Sequence, residues 1–434
     1  MNEIKKTSWF KKSVVGTAII SMLGVGYSMC GNDGKAPGFI PKHDNDTLLM
    51  FLKNGKTLQD VELLYDKDDD IEFDGVFKLS KDLPNTYVVD PAKDDDSRIT
   101  EIIKLLKKDS DVETAEYNQI MSIPANEKVV ASSTESQTGK FPNDPLYQQG
   151  KMWGQTAIHA EAVHDLLMNF KPKRPAKVWV LDTGIIQHED LEAKLYTKDG
   201  HGHGTHCAGT IGALTNNGKG VSSLSLNNKF IELYSIKVLS DWGSGSTAGI
   251  AKAIIEAANK GADVISMSLG GPGKSTVLEK ACKYAMSKGT IIVAAAGNEN
   301  GNADNSAPAN VPGVITVGAV GQYGKKVKRA PFSNYGDIVD VSAPGMVIWS
   351  TVPKNNRMSR GNLYIAIQGT SMATPHVAGL VGLTIAVNPN LRGKRDDITR
   401  ILKESGSDPV TEKDKPIGKF INGYGAIKAA INYK

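Results

Sequence analysis

From residue 177 onward, near-continuous apolar runs alternate with stretches whose apolar residues return every three or four positions. The runs 177–181, 231–239, 264–269, 290–296 and 314–320 predict strands with both faces buried. Between them, 247–260 and 276–288 predict amphipathic helices; Ile250, Ala251, Ile254, Ile255 and Ala258 share one side of the first. Such alternation builds a mostly parallel sheet covered on both sides, an α/β architecture. Reactive side chains then gather at the carboxyl ends of the strands. A shorter run, 364–367, is followed by an uncharged stretch reaching Ala386, which suits a helix buried on every side.

The front of the chain has another pattern. Residues 47–52, 87–89 and 112–120 predict strands and 99–108 an amphipathic helix, so 31–123 is expected to fold as a small α/β module. Residues 44–118 carry 20 Asp and Glu against 10 Lys and Arg, whereas 119–434 carry 25 against 35. Opposite charges predict that the module docks on the remainder. The whole chain is only +4 over 434 residues, which points away from a nucleic-acid partner. The polar tract 131–139, inside a boundary region 124–141, reads as a linker open to proteolysis.

Ahead of the module, Lys5, Lys6, Lys11 and Lys12 precede an apolar run, 14–29, that is short for a membrane span and ends at Cys30. Residues 1–30 therefore predict an export signal, with ordinary cleavage and lipidation of Cys30 as its leading outcomes, ahead of an uncleaved anchor. The mature protein is expected to be secreted, or held at the cell envelope by lipid alone. Cys207 and Cys282 lie in apolar helical contexts and are expected as buried free thiols rather than a bridge.

Four segments carry candidate chemistry. Asp182 ends the run 177–181, where a carboxylate serves a turn as readily as a reaction. His203 lies in His201-Gly202-His203-Gly204-Thr205-His206, whose alternating glycines make a poor zinc cage, and His206 is expected to be structural. Ala294-Ala295-Ala296-Gly297-Asn298 delivers an amide at a strand end. Gly369-Thr370-Ser371-Met372-Ala373-Thr374-Pro375-His376 puts Ser371 where a strand turns into a helix, beside backbone N–H groups suited to a developing oxyanion. Each segment is weak alone. In the order Asp, His, Ser on an α/β sheet they are not.

Together with Ser266-Met267-Ser268-Leu269-Gly270-Gly271, these segments resemble the subtilisin-like serine proteases, on the thermitase and proteinase K side of the family, from about residue 142 to the end. The resemblance implies a three-layer subtilisin-like domain over 142–434 and a serine endopeptidase with an acyl-enzyme intermediate. It makes Ser371 the nucleophile, His203 the general base, Asp182 the residue that orients His203, and Asn298 an oxyanion donor. A neutral histidine base predicts kcat/KM rising through one ionisation near about 6.5–7.

The resemblance also implies that extended peptide or protein substrates pair with Gly243, Ser244 and Gly245 on one side and Ser268, Leu269 and Gly270 on the other. Leu269, Gly270, Ala295, Ala296 and Gly297 would line the pocket for the residue before the cut. That pocket suits a large apolar side chain, or a basic one if Glu299 governs. A structural calcium is implied at Asp144, Asp190 and Asn217, with carbonyls of Leu214, Lys219 and Val221. By position, the acidic module resembles the prosegments of these enzymes, which makes it the chain's own inhibitor until it is cut away. An inactive relative kept for binding, and a processing protease with one cognate substrate, are the competing functions.

Overall fold

The computed structural model describes residues 43–64, 71–92, 96–130, 141–226 and 228–434. The expected export signal, Cys30 and the tract 131–139 lie outside them. The large sheet runs in the order Lys419–Phe420, Val341–Pro344, Ile315–Tyr323, Ile291–Ala295, Val264–Met267, Ala176–Asp182, Ile231–Lys237, Ala193–Leu195, with every neighbouring pair parallel. Lys326–Arg329 turns back antiparallel on Ile315–Tyr323.

The apolar runs of the sequence are strands because both faces need covering. Val178 and Val180 enter one core, with helices His203–Gly212 and Thr370–Val387, while Trp179 and Leu181 enter the other, with helices Thr247–Asn259 and Thr276–Ser287. That is the three-layer α/β architecture expected. Helix Thr370–Val387 is long and apolar enough to cross a membrane, yet all of its residues are buried inside the protein. Gly379 lets it lie against His203–Gly212, since a Cβ there would stand 3.1 Å from the Ile211 carbonyl oxygen.

The front module is a sheet in the order Phe73–Ser80, Leu83–Pro91, His43–Leu52, Val112–Ser122. Helix Asp96–Leu106 covers one face, packing Ile99, Ile102 and Leu106 against Leu48, Met50 and Leu52. From the other face, Leu49, Phe51, Leu79 and Met121 join the core around Thr247–Asn259 and Thr276–Ser287. Two side chains of the module cap those helices. Glu116 accepts from Thr276 N at 2.9 Å and Val277 N at 3.1 Å, and Asn118 Oδ1 accepts from Ala248 N at 3.0 Å.

Charge plays a smaller part in docking than the composition suggested. The pair Lys280–Glu113, at 2.8 Å, is solvent-exposed and worth about 0–1 kcal/mol. Burial of the apolar face and the two caps outweigh it.

The module then runs on into the large domain. Ile120, Met121 and Ser122 pair antiparallel with Ser246, Gly245 and Ser244 as a fifth strand of its sheet. Beyond them, Lys128 and Val129 pair with Gln368 and Ile367, and Val130 N donates to Ala366 O at 2.9 Å. Residues 128–130, assigned to the boundary region by sequence, are thus held at the edge of strand Tyr364–Gln368.

Candidate active site

Strand Ala176–Asp182 delivers Asp182 at its carboxyl end, and helix His203–Gly212 begins with His203. Gly204 is what lets the two meet: a Cβ there would lie 2.2 Å from the Gly184 carbonyl oxygen and 3.1 Å from Asp182 Cβ. Asp182 Oδ1 lies 2.7 Å from His203 Nδ1 and accepts from Thr183 N at 2.7 Å, so the carboxylate and the imidazole are fixed together. Both side chains are buried.

Asp199 holds the turn before the helix and had no part in the sequence reading. Its carboxylate accepts from Thr183 Oγ1 at 2.9 Å, Gly202 N at 2.7 Å, Thr205 N at 3.0 Å and Thr205 Oγ1 at 2.7 Å. An acidic residue a few positions before a helix start was the available signal.

Ser371 occupies the first turn of Thr370–Val387, and Pro375 sits four residues further on. Proline has no N–H to give the carbonyl four residues back. The Ser371 carbonyl is accordingly free to accept from Ser268 Oγ, at 2.8 Å. The Ser371 hydroxyl donates to the Ser268 carbonyl at 3.2 Å. It is not bonded to His203, whose Nε2 has no hydrogen-bond partner among the described residues.

Asn298 is held by its oxygen. Oδ1 accepts from Thr370 N and from Thr370 Oγ1, both at 2.8 Å, which turns the amide nitrogen the other way. Nδ2 is buried and has no partner among the described residues. A buried N–H pair left open beside Ser371 is what a transient anion would use. Nothing along the chain marked Thr370 for this clamp.

The two predicted backbone edges flank the chain's own strand. Ser122 N donates to Gly270 O and Gly270 N to Ser122 O, each at 2.9 Å, while Ile123 N donates to Gly243 O at 3.0 Å. The extended path then breaks. Ala125 and Asn126 form a turn, with Asn126 at φ 66° and its Nδ2 donating to Asn298 O at 3.1 Å. The next side chain, Glu127, is buried with Oε2 3.0 Å from His203 Nε2. That is ion-pair distance without the alignment of a hydrogen bond, and neither Glu127 oxygen has another partner among the described residues.

Electrostatics follow from this crowding. Burial alone would pull the His203 pKa down, but the Asp182 carboxylate, with Glu127 adding to it, holds it well above the ordinary histidine value. His206 has the opposite fate. It is buried against the Ile348 carbonyl, at 3.0 Å, and is pushed down to about 3, a neutral structural residue as expected. Cys207 is a buried free thiol behind His203, and burial pushes its pKa up; Cys282 is likewise free and buried.

The remaining predicted residues fall into two groups. Leu269, Ala295, Ala296 and Gly297 are buried around the groove, and Glu299 is tied away by Asn334, whose Nδ2 donates to Glu299 Oε2 at 2.7 Å. Asp144 and Asp190 are brought together, with Asn217 between them. Asp144 accepts from Asn216 N at 2.8 Å and Asn217 N at 3.1 Å, and Asp190 accepts from Val221 N at 2.9 Å.

Burial pushes the Asp144 carboxyl up to about 6 and Asp190 to about 7, the latter with the Asp144 charge adding to it. Two buried carboxylates that resist ionising together fit a divalent cation held by oxygen. Asn217 now donates Nδ2 to Asp190 Oδ1 at 2.8 Å and accepts from Lys219 N at 2.8 Å; its amide must turn over to offer oxygen instead.

Comparison with known proteins agrees with this geometry. Residues 173–425 match the model of the subtilase family. The chain is 39% identical to thermitase of Thermoactinomyces vulgaris over 300 residues, covering 66% of this chain and 99% of thermitase. It is 42% identical to an alkaline protease of Alkalihalobacillus alcalophilus over 251 residues, covering 56% of this chain and 61% of that protein. Among solved structures, fervidolysin from Fervidobacterium pennivorans, described as a keratinolytic enzyme related to subtilisin, superposes with a TM-score of 0.70 at 25% identity, over 88% of this chain and 61% of fervidolysin. The chain thus spans about three fifths of the length of several relatives it matches. With a parallel sheet that ends in Asp182, a helix that begins at His203 and a second that begins around Ser371, the chain belongs to the subtilase family of serine proteases.

Proposed function

We propose that the protein is an exported serine endopeptidase, made as a precursor that cuts itself. The observation that carries this reading is the buried 2.7 Å contact between Asp182 and His203 beside Ser371. In the proposed reaction the Ser371 hydroxyl swings from the Ser268 carbonyl to His203 Nε2, gives up its proton there and attacks the substrate carbonyl. Asp182 keeps the proton on Nδ1 and stabilises the imidazolium, while Asn298 Nδ2 and the Ser371 amide receive the oxyanion. His203 then protonates the leaving amine, and water releases the acyl group by the same steps in reverse.

A serine-reactive fluorophosphonate should label the mature wild-type protein at Ser371, and that protein should digest denatured casein. A protein that is folded yet neither labelled nor active would be an inactive relative, and the reading would fall.

Residues 31–123 are read as the prosegment and 142–434 as the catalytic domain, with the maturation cut in 124–141. The chain before the turn at Ala125 and Asn126 is bound to Gly243 and Gly270, and the chain after it to Ile367 and Gln368, so the cut is read in the polar tract 131–139 that follows. Residues 1–30 are read as the export signal, leaving the mature protein secreted or lipid-held through Cys30.

Calcium, if bound, is held by Asp144, Asp190 and Asn217 with the carbonyls of Leu214, Lys219 and Val221, and would neutralise the two carboxylates. A chelator is then expected to lower the melting temperature by about 5 °C or more, and Asp190→Asn to abolish that response. A melting temperature indifferent to chelator would dismiss the site.

A further inference from the structure

We propose that Glu127 keeps the intact chain idle at its own catalytic centre: its carboxylate occupies His203 Nε2, and the loss of that contact gates maturation. This rests on the reading of His203 as the base. Nε2 is the atom that must take the serine proton, and Glu127 Oε2 stands 3.0 Å from it. The serine hydroxyl is meanwhile turned to the Ser268 carbonyl.

The placement of Glu127 is imposed from both sides. Ser122 is pinned to Gly270 and Val129 to Ile367, and the turn at Ala125 and Asn126 takes up the slack between them. The Glu127 stem also needs Gly369, where a Cβ would come within 2.8 Å of Glu127 Cγ.

No lysine or arginine is paired with Glu127 among the described residues. A carboxylate 3.0 Å from the ring favours the imidazolium over the neutral imidazole. An imidazolium has no lone pair for the serine proton. The chain therefore lies across its own active site without being a substrate there. Other ionisable groups around His203, namely Asp182, Cys207, His201 and His206, belong to the catalytic domain and remain after processing. Glu127 alone comes from the segment that processing disrupts.

Pulse–chase of the full-length chain reads the rate at which precursor becomes mature protein. Glu127→Gln keeps the shape and removes the charge. It is expected to mature about tenfold faster or more, the gain in neutral imidazole when one neighbouring anion is lost. Glu113→Gln, which removes the exposed pair with Lys280, should mature at the wild-type rate. A Glu127→Gln rate at or below wild type overturns the proposal.

Adding Ser371→Ala to Glu127→Gln separates the two readings. Cutting that persists in the double variant defeats self-processing itself, whereas cutting that needs Ser371 but ignores Glu127 defeats only the latch. Imidazole nitrogen NMR on uncut Ser371→Ala precursors gives an independent readout. His203 should lose its second ring proton at a lower pH in Glu127→Asp, which is a methylene too short, than with Glu127 present. An unchanged His203 signal overturns the proposal as well.

Discussion

Ser371→Ala is expected to leave the chain uncut and the enzyme without measurable turnover. The alanine keeps the helix start, because Thr370 N is capped by Asn298 and the carbonyl at position 371 still accepts from Ser268 Oγ. What disappears is the hydroxyl that now donates to the Ser268 carbonyl. The fall in kcat should be about 10⁶-fold, the size established for the same loss in subtilisin and carried over from it. Purified precursor should then persist at full length with its module bound through Ser122, Ile123 and Val129. Maturation of this variant in the absence of other proteases would show that another agent makes the cut.

Asp182→Asn is the second large effect, about 10⁴-fold in kcat, again the size known for this substitution in a serine-protease triad. The amide can present its N–H to His203 Nδ1, which moves the ring proton to Nε2 and leaves the wrong nitrogen facing Ser371. The pH profile supplies a separate check. Activity requires neutral His203, so it rises with pH as the imidazolium loses its proton. Burial lowers that pKa and the Asp182 charge raises it to a net value above the ordinary one. Without the charge, burial alone remains, so the acid limb of kcat/KM should move to lower pH even as the plateau collapses. A limb that stays in place, or moves up, would deny Asp182 its electrostatic role.

Much of this was legible in the residues themselves. Apolar runs such as 291–296 leave no polar face, so they had to be central strands, and the structure has Ile291–Ala295 in mid-sheet. The glycines around His203 and Ser371 marked helix starts crowded against other backbone. Glu127 was invisible for the opposite reason. It lies in a short polar stretch with no periodicity, and its importance comes entirely from what the strands beside it are bound to. Thr370 and Asp199 were missed similarly, since a side chain that orients another leaves no pattern along the chain. Docking of the acidic module was overstated as a charge effect, because composition counts exposed carboxylates that face only water.

The reciprocal grip between Ser268 and Ser371 has a mechanical consequence. The strand that ends at Met267 continues through Ser268, which is bonded to Ser371 in both directions, to Gly270, which is bonded to the backbone of Ser122. Ser371 and the strand crossing the site at Ser122 are therefore both positioned from one run of three residues, so a displacement of that run carries the two together.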